Sequence, residues 1–220
     1  MDVRSARHAI YCARHAPDPH PMNDTLAVLG FTTTPLELIS FVLSVITVLL
    51  NIRQTHWAWL FSIVSSATYG AVFYGARLYG DMGLQLVFIA VSVWGWYQWL
   101  YGGAQHKALA VSRLDRRGWL ISGACWLAGF ALLAMFLKHW TDTDVPHIDG
   151  FLTAGSLVGQ VLLSRKKIEN WNVWIAVDVL YVGLYIYKDL MLTAILYAVF
   201  VVLAVIGLRA WRRAAQEASA

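Results

Sequence analysis

The sequence predicts an all-α integral membrane protein: seven transmembrane helices arranged as two parallel three-helix repeats joined by a linker helix. Three observations predict it. Hydrophobic residues make up 59% of the chain and charged residues 14%, where a soluble domain carries roughly a quarter charged. The apolar residues fall in seven blocks separated by short charged islands. The first three blocks and the last three echo each other.

Taken in order, residues 1–35 are expected to be a tail or surface helix. The stretch "MDVRSARHAIYCARHAPDPHP" holds Arg, His and Pro but no continuous apolar core, so it is not a signal peptide. Met22 is an alternative start. The apolar blocks then give spans at 36–51, 57–76, 83–101, 118–138, 149–164, 171–187 and 190–210. The first and fifth are shorter than the ~20 residues that cross a bilayer comfortably. Both carry several polar residues, as helices packed inside a bundle do. Residues 36–101 form the first repeat, 102–138 a loop and the linker helix, 139–211 the second repeat and 212–220 a C-terminal tail.

Basic residues set the expected orientation. Loops 1–2, 3–4 and 5–6 with the C-terminal tail hold 11 Lys and Arg, and the opposite face holds 6. By the positive-inside rule the C-terminus is cytoplasmic and the N-terminus outside. The net charge of +4 is spread over short loops, which is not a nucleic-acid signature. Cys12 and Cys125 are too far apart in sequence and setting to suggest a disulfide framework or a metal site.

The repeat rests on two matches. "LYGDMGLQLVF" (78–88) and "IYKDLMLTAIL" (186–196) share Tyr-x-Asp-x-x-Leu at an offset of 108, and "VLLNIR" (48–53) matches "VLLSRK" (161–166) at 113. Two three-helix copies run in the same direction only if one extra span lies between them. That accounts for the odd helix. In transporters with such repeats, substrates bind at the repeat interface.

Helical geometry, at ~100° per residue, sorts the polar side chains into stripes. On span 6, Asn170, Trp174, Asp178, Tyr181, Tyr185 and Lys188 share one face. Span 3 aligns Gln85, Ser92, Trp96 and Trp99. Span 1 aligns Glu37, Ser40, Ser44, Thr47 and Asn51, and span 5 aligns Asp149, Thr153, Ser156, Gln160 and Ser164. Span 2 offers Trp59, Ser62, Ser66, Tyr69 and Phe73, and span 7 offers Thr193 and Tyr197. Span 4 has only Ser122 and Cys125. Single Ser, Thr and Gln residues commonly join membrane helices by hydrogen bonds. Trp and Tyr at span ends, here Trp94, Tyr97, Trp99, Trp140, Trp171 and Trp211, commonly form an interfacial belt. Gly155-x-x-x-Gly159 suits close helix packing.

Asp178 resists such readings. A carboxylate at mid-span costs ~2.5–3.5 kcal/mol even on the mildest insertion scale. Lys188, ten residues on, lies roughly 15 Å away along the helix. Asp178 is therefore expected to face an internal cavity with aromatic walls, amides and hydroxyls. That lining suits an aromatic, polar small metabolite, cationic or neutral. Catalysis is not expected: the seven His residues lie outside the apolar blocks or at their edges, and neither HExxH nor GxSxG occurs. A seven-helix receptor is the rival of another class. A retinal protein, however, needs a mid-span lysine that "MLTAILYAVFVVLAVIGL" lacks.

Three separated segments, "WAWLFSIVSSATYGAVFYGARLYGDMGLQLVF", "GWYQW" and "ENWNVWIAVDVLYVGLYIYKDLMLTAILY", resemble the bacterial Pnu vitamin transporters. The similarity is greatest to the nicotinamide riboside (vitamin B3 nucleoside) branch, PnuC, over residues 36–212. This resemblance implies a three-plus-one-plus-three helix arrangement similar to the SWEET sugar transporters, in a bacterial cytoplasmic membrane. It implies facilitated diffusion of nicotinamide riboside by alternating access, with trapping by a cytosolic phosphorylation, and a homo-trimer without cofactor or metal. It assigns substrate contact to Gln85, Trp96, Asn170, Trp174, Asp178 and Tyr181. Gln85 and Asn170 would hold the amide or ribose, Trp96, Trp174 and Tyr181 would stack, and Asp178 would tune charge. Coupling to protons through Asp178 stays open. Related branches carry thiamine or riboflavin, which are the alternative substrates.

Overall fold

The computed structural model describes residues 26–28, 31–33, 35–75, 79–141, 143–187 and 191–217. The expected tail at 1–25, and Lys188 and Asp189, lie outside them. The chain divides into two units, 1–39 and 40–220. The first contains a small antiparallel pair, β1 (Leu26–Val28) and β2 (Phe31–Thr33), with Val28 opposite Phe31.

Among the described residues, seven long helices follow: α1 (Pro35–Ile52), α2 (Ala58–Gly75), α3 (Tyr79–Tyr101), α4 (Arg116–Trp140), α5 (Pro146–Ser164), α6 (Asn170–Tyr187) and α7 (Met191–Glu217). Each coincides with one apolar block of the sequence. Local signals set several ends. Asp115 caps α4, its side chain accepting from the Gly118 N–H at 2.8 Å, which satisfies one of the donors a helix start leaves open. Pro146 opens α5, where its missing N–H costs nothing. By length and composition, α4 over Arg116–Trp140 and α7 over Thr193–Glu217 are suited to crossing a membrane. On α4, Leu120, Leu127, Leu132 and Trp140 are exposed, as the lack of a polar stripe on this helix predicts.

Helices α2 and α3 pack as one hairpin and α6 and α7 as another; α5 lies against α4, α6 and α3. Glycines allow the closest approaches. A Cβ on Gly150 would meet the Ala134 backbone nitrogen at 2.7 Å, and one on Gly155 would meet the Trp126 ring at 2.5 Å.

Element boundaries recur at a fixed interval. α2 starts at 58 and α6 at 170; they end at 75 and 187; α3 and α7 start at 79 and 191; α1 and α5 end at 52 and 164. Each pair differs by 112. Gln54 (φ 55°) and Lys166 (φ 47°), the left-handed residues of the turns after α1 and α5, obey the same interval. The sequence matches at 108 and 113 are therefore one helical turn and one residue out of the register of the helices.

Side-chain packing repeats with it. Trp59 and Trp99 meet edge to face at 5.4 Å and 87°, and Trp171 and Trp211 meet at 5.5 Å and 89°. Gly95 makes room for the Trp59 ring and Gly207 for the Trp171 ring; a Cβ would fall 2.5 and 2.7 Å from them. Trp99 Nε1 donates to the Leu163 carbonyl at 3.0 Å, and Trp211 Nε1 to the Asn51 carbonyl at 3.1 Å. Trp99 and Trp211 touch across the middle at 6.0 Å. All four rings are buried, with Leu163, Ile168 and Ala204. Three of them, Trp99, Trp171 and Trp211, stand at span ends where a lipid-interface belt is the usual reading. They form a core instead, whereas Trp140 and Tyr97 are exposed.

Candidate functional site

Directly above this tryptophan core lies a cavity of about 260 Å³. Leu163, Trp171 and Ala204 belong to both, so the core is its floor. One wall comes from α1, α2 and α3: Thr47, Asn51, Ser62, Ser65, Ser66, Tyr69, Gln85 and Phe88. The other comes from α5, α6 and α7: Gln160, Trp174, Asp178, Tyr197 and Phe200. The stripes explain why these side chains converge. α2 places Ser62, Ser66 and Tyr69 on one face, α6 places Trp174 and Asp178 on one face, and each hairpin turns that face inward.

The walls differ in chemistry. The α1–α3 side is rich in hydroxyls and amides. Ser62 and Ser92 share a hydrogen bond at 3.0 Å, which ties α2 to α3 and holds the Ser62 hydroxyl at the cavity surface. The α5–α7 side presents aromatic rings and the side chain of Asp178, a residue only 4% exposed. Gly159 lets Trp174 lie against α5; a Cβ there would stand 3.1 Å from the indole. Beyond Asp178, Tyr181, Tyr185 and Tyr197 form a ring cluster, with Tyr181 and Tyr197 at 4.7 Å and Tyr185 and Tyr197 at 5.1 Å.

Two lining groups have buried polar atoms with no hydrogen-bond partner among the described residues, Asn51 Oδ1 and Trp171 Nε1. An unpaired buried polar group costs about 1–3 kcal/mol.

Of the six residues singled out in the sequence, Gln85, Trp174 and Asp178 line the cavity. The other three stand nearby. Asn170 is fully buried at the first turn of α6, where its Nδ2 donates to the Lys167 carbonyl at 2.6 Å. Trp96 packs against Trp57 at 6.0 Å and on the edge of the tryptophan core. Tyr181 stands behind Tyr197. Phe88, Phe200 and Ser65 line the cavity with no prior signal, since a Phe or a lone Ser in an apolar helix carries none.

At the turn after α5, Lys166 is buried with its Nζ 4.6 Å from the Trp99 ring centroid. Burial pushes its ammonium below the usual lysine range, and the ring face supplies a compensating cation–π attraction.

Comparison with known proteins follows the same lines. A family model described as the nicotinamide mononucleotide transporter matches residues 34–213. The riboflavin/roseoflavin transporter RibM of Streptomyces davaonensis is 28% identical over 180 residues, 80% of this chain and 83% of its own. The nicotinamide riboside transporter PnuC of Escherichia coli is 21% identical over 217 residues, 86% of this chain and 89% of its own. A solved structure, described as the vitamin B3 transporter PnuC, matches 96% of this chain and 88% of its own with a TM-score of 0.66 at 23% identity, a likeness of fold. The family match spans most of the chain, the helices follow the same fold and the cavity lies between the two hairpins: the chain belongs to the PnuC family, described as nicotinamide mononucleotide transporters.

Proposed function

We propose that this protein carries nicotinamide riboside across a bacterial cytoplasmic membrane by facilitated diffusion. The carrying observation is the two-sided cavity. Trp174 and Asp178 on one wall suit a pyridinium ring, through stacking and cation attraction worth ~0.5–2 kcal/mol per ring face in a dry site. Ser62, Ser66, Gln85 and Asn51 on the other suit ribose hydroxyls and a carboxamide. Trp96, Asn170 and Tyr181 then act from behind the lining.

The recurrence of helix boundaries and tryptophan pairs at 112 residues supports a three-plus-one-plus-three architecture, with α4 as linker. Transport proceeds by rocking of the two triple-helix units about the cavity between them, open to each side in turn. Cytosolic phosphorylation of the product keeps uptake running inward. The excess of Lys and Arg on one face supports a cytoplasmic C-terminus, and a homo-trimer is the assembly that the resemblance implies.

Riboflavin is the second reading, favoured by the 28% identity to RibM. It pairs an aromatic ring system with a polyhydroxyl chain but carries no positive charge. Labelled nicotinamide riboside should equilibrate into proteoliposomes without ATP. Unlabelled nicotinamide riboside should compete better than riboflavin or thiamine. A strict ATP requirement refutes facilitated diffusion, and stronger competition by riboflavin transfers the assignment to it.

A further inference from the structure

The two tryptophan pairs are alike, but their attachments to the facing turns are not. Trp99 is fixed to the α5–α6 turn in several ways. Its Nε1 donates to Leu163 O at 3.0 Å, Lys166 Nζ lies over its ring, and its own carbonyl accepts from Leu109 N at 3.2 Å. The segment after Leu109 then pairs with that turn through a single parallel β-bridge, Ser112 with Lys167. Ser112 N donates to Lys166 O at 3.1 Å, Ile168 N to Ser112 O at 3.0 Å, and Leu114 N to the Glu169 carboxylate at 2.9 Å. Lys167 Nζ adds a bond to Ser112 Oγ at 2.9 Å.

Among the described residues, the counterpart at Trp211 has fewer hydrogen bonds. Its Nε1 donates to Asn51 O at 3.1 Å. The residue that matches Lys166, 112 positions earlier, is the neutral Gln54. Among the described residues, the backbone hydrogen bonds of the Arg53–Trp57 turn are made locally, from Arg53 N to Leu49 O, Gln54 N to Asn51 O and Thr55 N to Leu50 O. The asymmetry has a topological origin. One linker joins the two copies, and its leading segment reaches only the α5–α6 turn.

We propose that the tryptophan floor is a one-sided gate: the cavity opens at this end when the α1–α2 turn parts from Trp211, while Trp99 and the α5–α6 turn move as one body. This rests on the transport reading above. The Trp99–Trp211 contact is the seam, and Asn51, which both lines the cavity and accepts from Trp211, lies where a bound molecule and the gate meet.

The test uses a reporter, Val48→Cys, on the cavity wall, in full-length protein with Cys12→Ser and Cys125→Ser. Labelling by a membrane-impermeant maleimide is measured from the face that bears the two turns. Trp211→Phe keeps a six-membered aromatic ring and removes the donor with the pyrrole half of the indole; Trp99→Phe makes the same change and so controls for the lost volume. Trp211→Phe should speed labelling about fivefold, the factor one neutral hydrogen bond typically contributes. Trp99→Phe should leave labelling at the parent rate, because the Ser112 bridge still holds the turn. Adding Ser112→Pro to Trp99→Phe removes the Ser112 N–H bond to Lys166 O and should produce the increase.

If Trp211→Phe does not give monodisperse protein, Gln54→Lys serves. It supplies the missing cation and should slow labelling about fivefold. Equal acceleration by Trp99→Phe and Trp211→Phe, or no change with Trp211→Phe or Gln54→Lys, overturns the gate. Uptake of nicotinamide riboside by the parent in the same vesicles is read separately. Its absence refutes the transport reading, whereas symmetric labelling with intact uptake refutes the gate alone.

Discussion

Positions 112 residues apart in the two hairpins compare in two ways. At the floor of the cavity they are identical: Gly95 and Gly207, Trp59 and Trp171, Trp99 and Trp211, with ring distances of 5.4 and 5.5 Å. One turn higher they differ. Ser62 corresponds to Trp174, Ser66 to Asp178 and Gln85 to Tyr197, and all six line the cavity. Edge-to-face packing against a glycine tolerates little change in volume, so the floor is held to one solution. The cavity wall faces open space, and there substitution is free to answer to a ligand. A symmetric pair of walls would suit a symmetric molecule. A hydroxyl wall opposite an aromatic, acidic wall suits one with a sugar at one end and a ring at the other.

The comparison is broken most severely by removing the ring that has no counterpart. Trp174→Ala should weaken binding of nicotinamide riboside about a hundredfold by calorimetry, since it removes stacking worth ~1–3 kcal/mol and the packing against Gly159. Trp140→Ala, on the exposed end of α4, should change nothing. Equal effects would mean that Trp174 serves packing alone.

Next in size is the charge. Asp178→Asn keeps the shape of the wall and removes its carboxylate. Nicotinamide riboside affinity should fall about tenfold, on the order of a charge interaction in a partly buried site. Riboflavin affinity, read in the same assay, should hold. Parallel losses for both ligands would assign Asp178 a structural role.

The floor is sharpened by Gly95→Ala and Gly207→Ala. Each places a methyl against an indole and should destabilise by about 1–3 kcal/mol, seen as a fall in Tm of the detergent-solubilised protein. The two losses should be similar, because the pairs are alike. A large loss at one site only would show that the two tryptophan pairs do not share the load.

The smallest effect belongs to the hydroxyl wall. Ser66→Ala should cost about threefold in affinity for nicotinamide riboside, near the lower end of a neutral hydrogen bond, and nothing for free nicotinamide, which has no ribose. An equal loss for both would move the ribose away from this wall.

Much of this was legible in the sequence, for stated reasons. Seven apolar blocks gave seven helices because charged islands interrupt them cleanly. Gln85, Trp174 and Asp178 were found because polar groups in an apolar helix signal an inward face. Asn170 and Trp96 show where the method stops. A helical wheel gives an angle around the axis and no depth along it. Asn170 lies on the same face as Asp178 but two turns nearer the end, where it bonds to the turn at Lys167. The buried tryptophans were illegible for a different reason. At a span end, Trp171 looks the same whether it meets lipid or Trp211, and only the partner helix decides. The interval of 112 was masked because matching of apolar letters rewards common residues, while the defining pairs are four tryptophans and two glycines spread over more than a hundred residues.

A density map of the protein with nicotinamide riboside bound should show one molecule above the tryptophan floor, its pyridinium against Trp174 and toward Asp178, its ribose against Ser62 and Ser66. Density outside this cavity, or in it with the ring on the serine wall, would mean that these two walls do not read the two ends of the substrate.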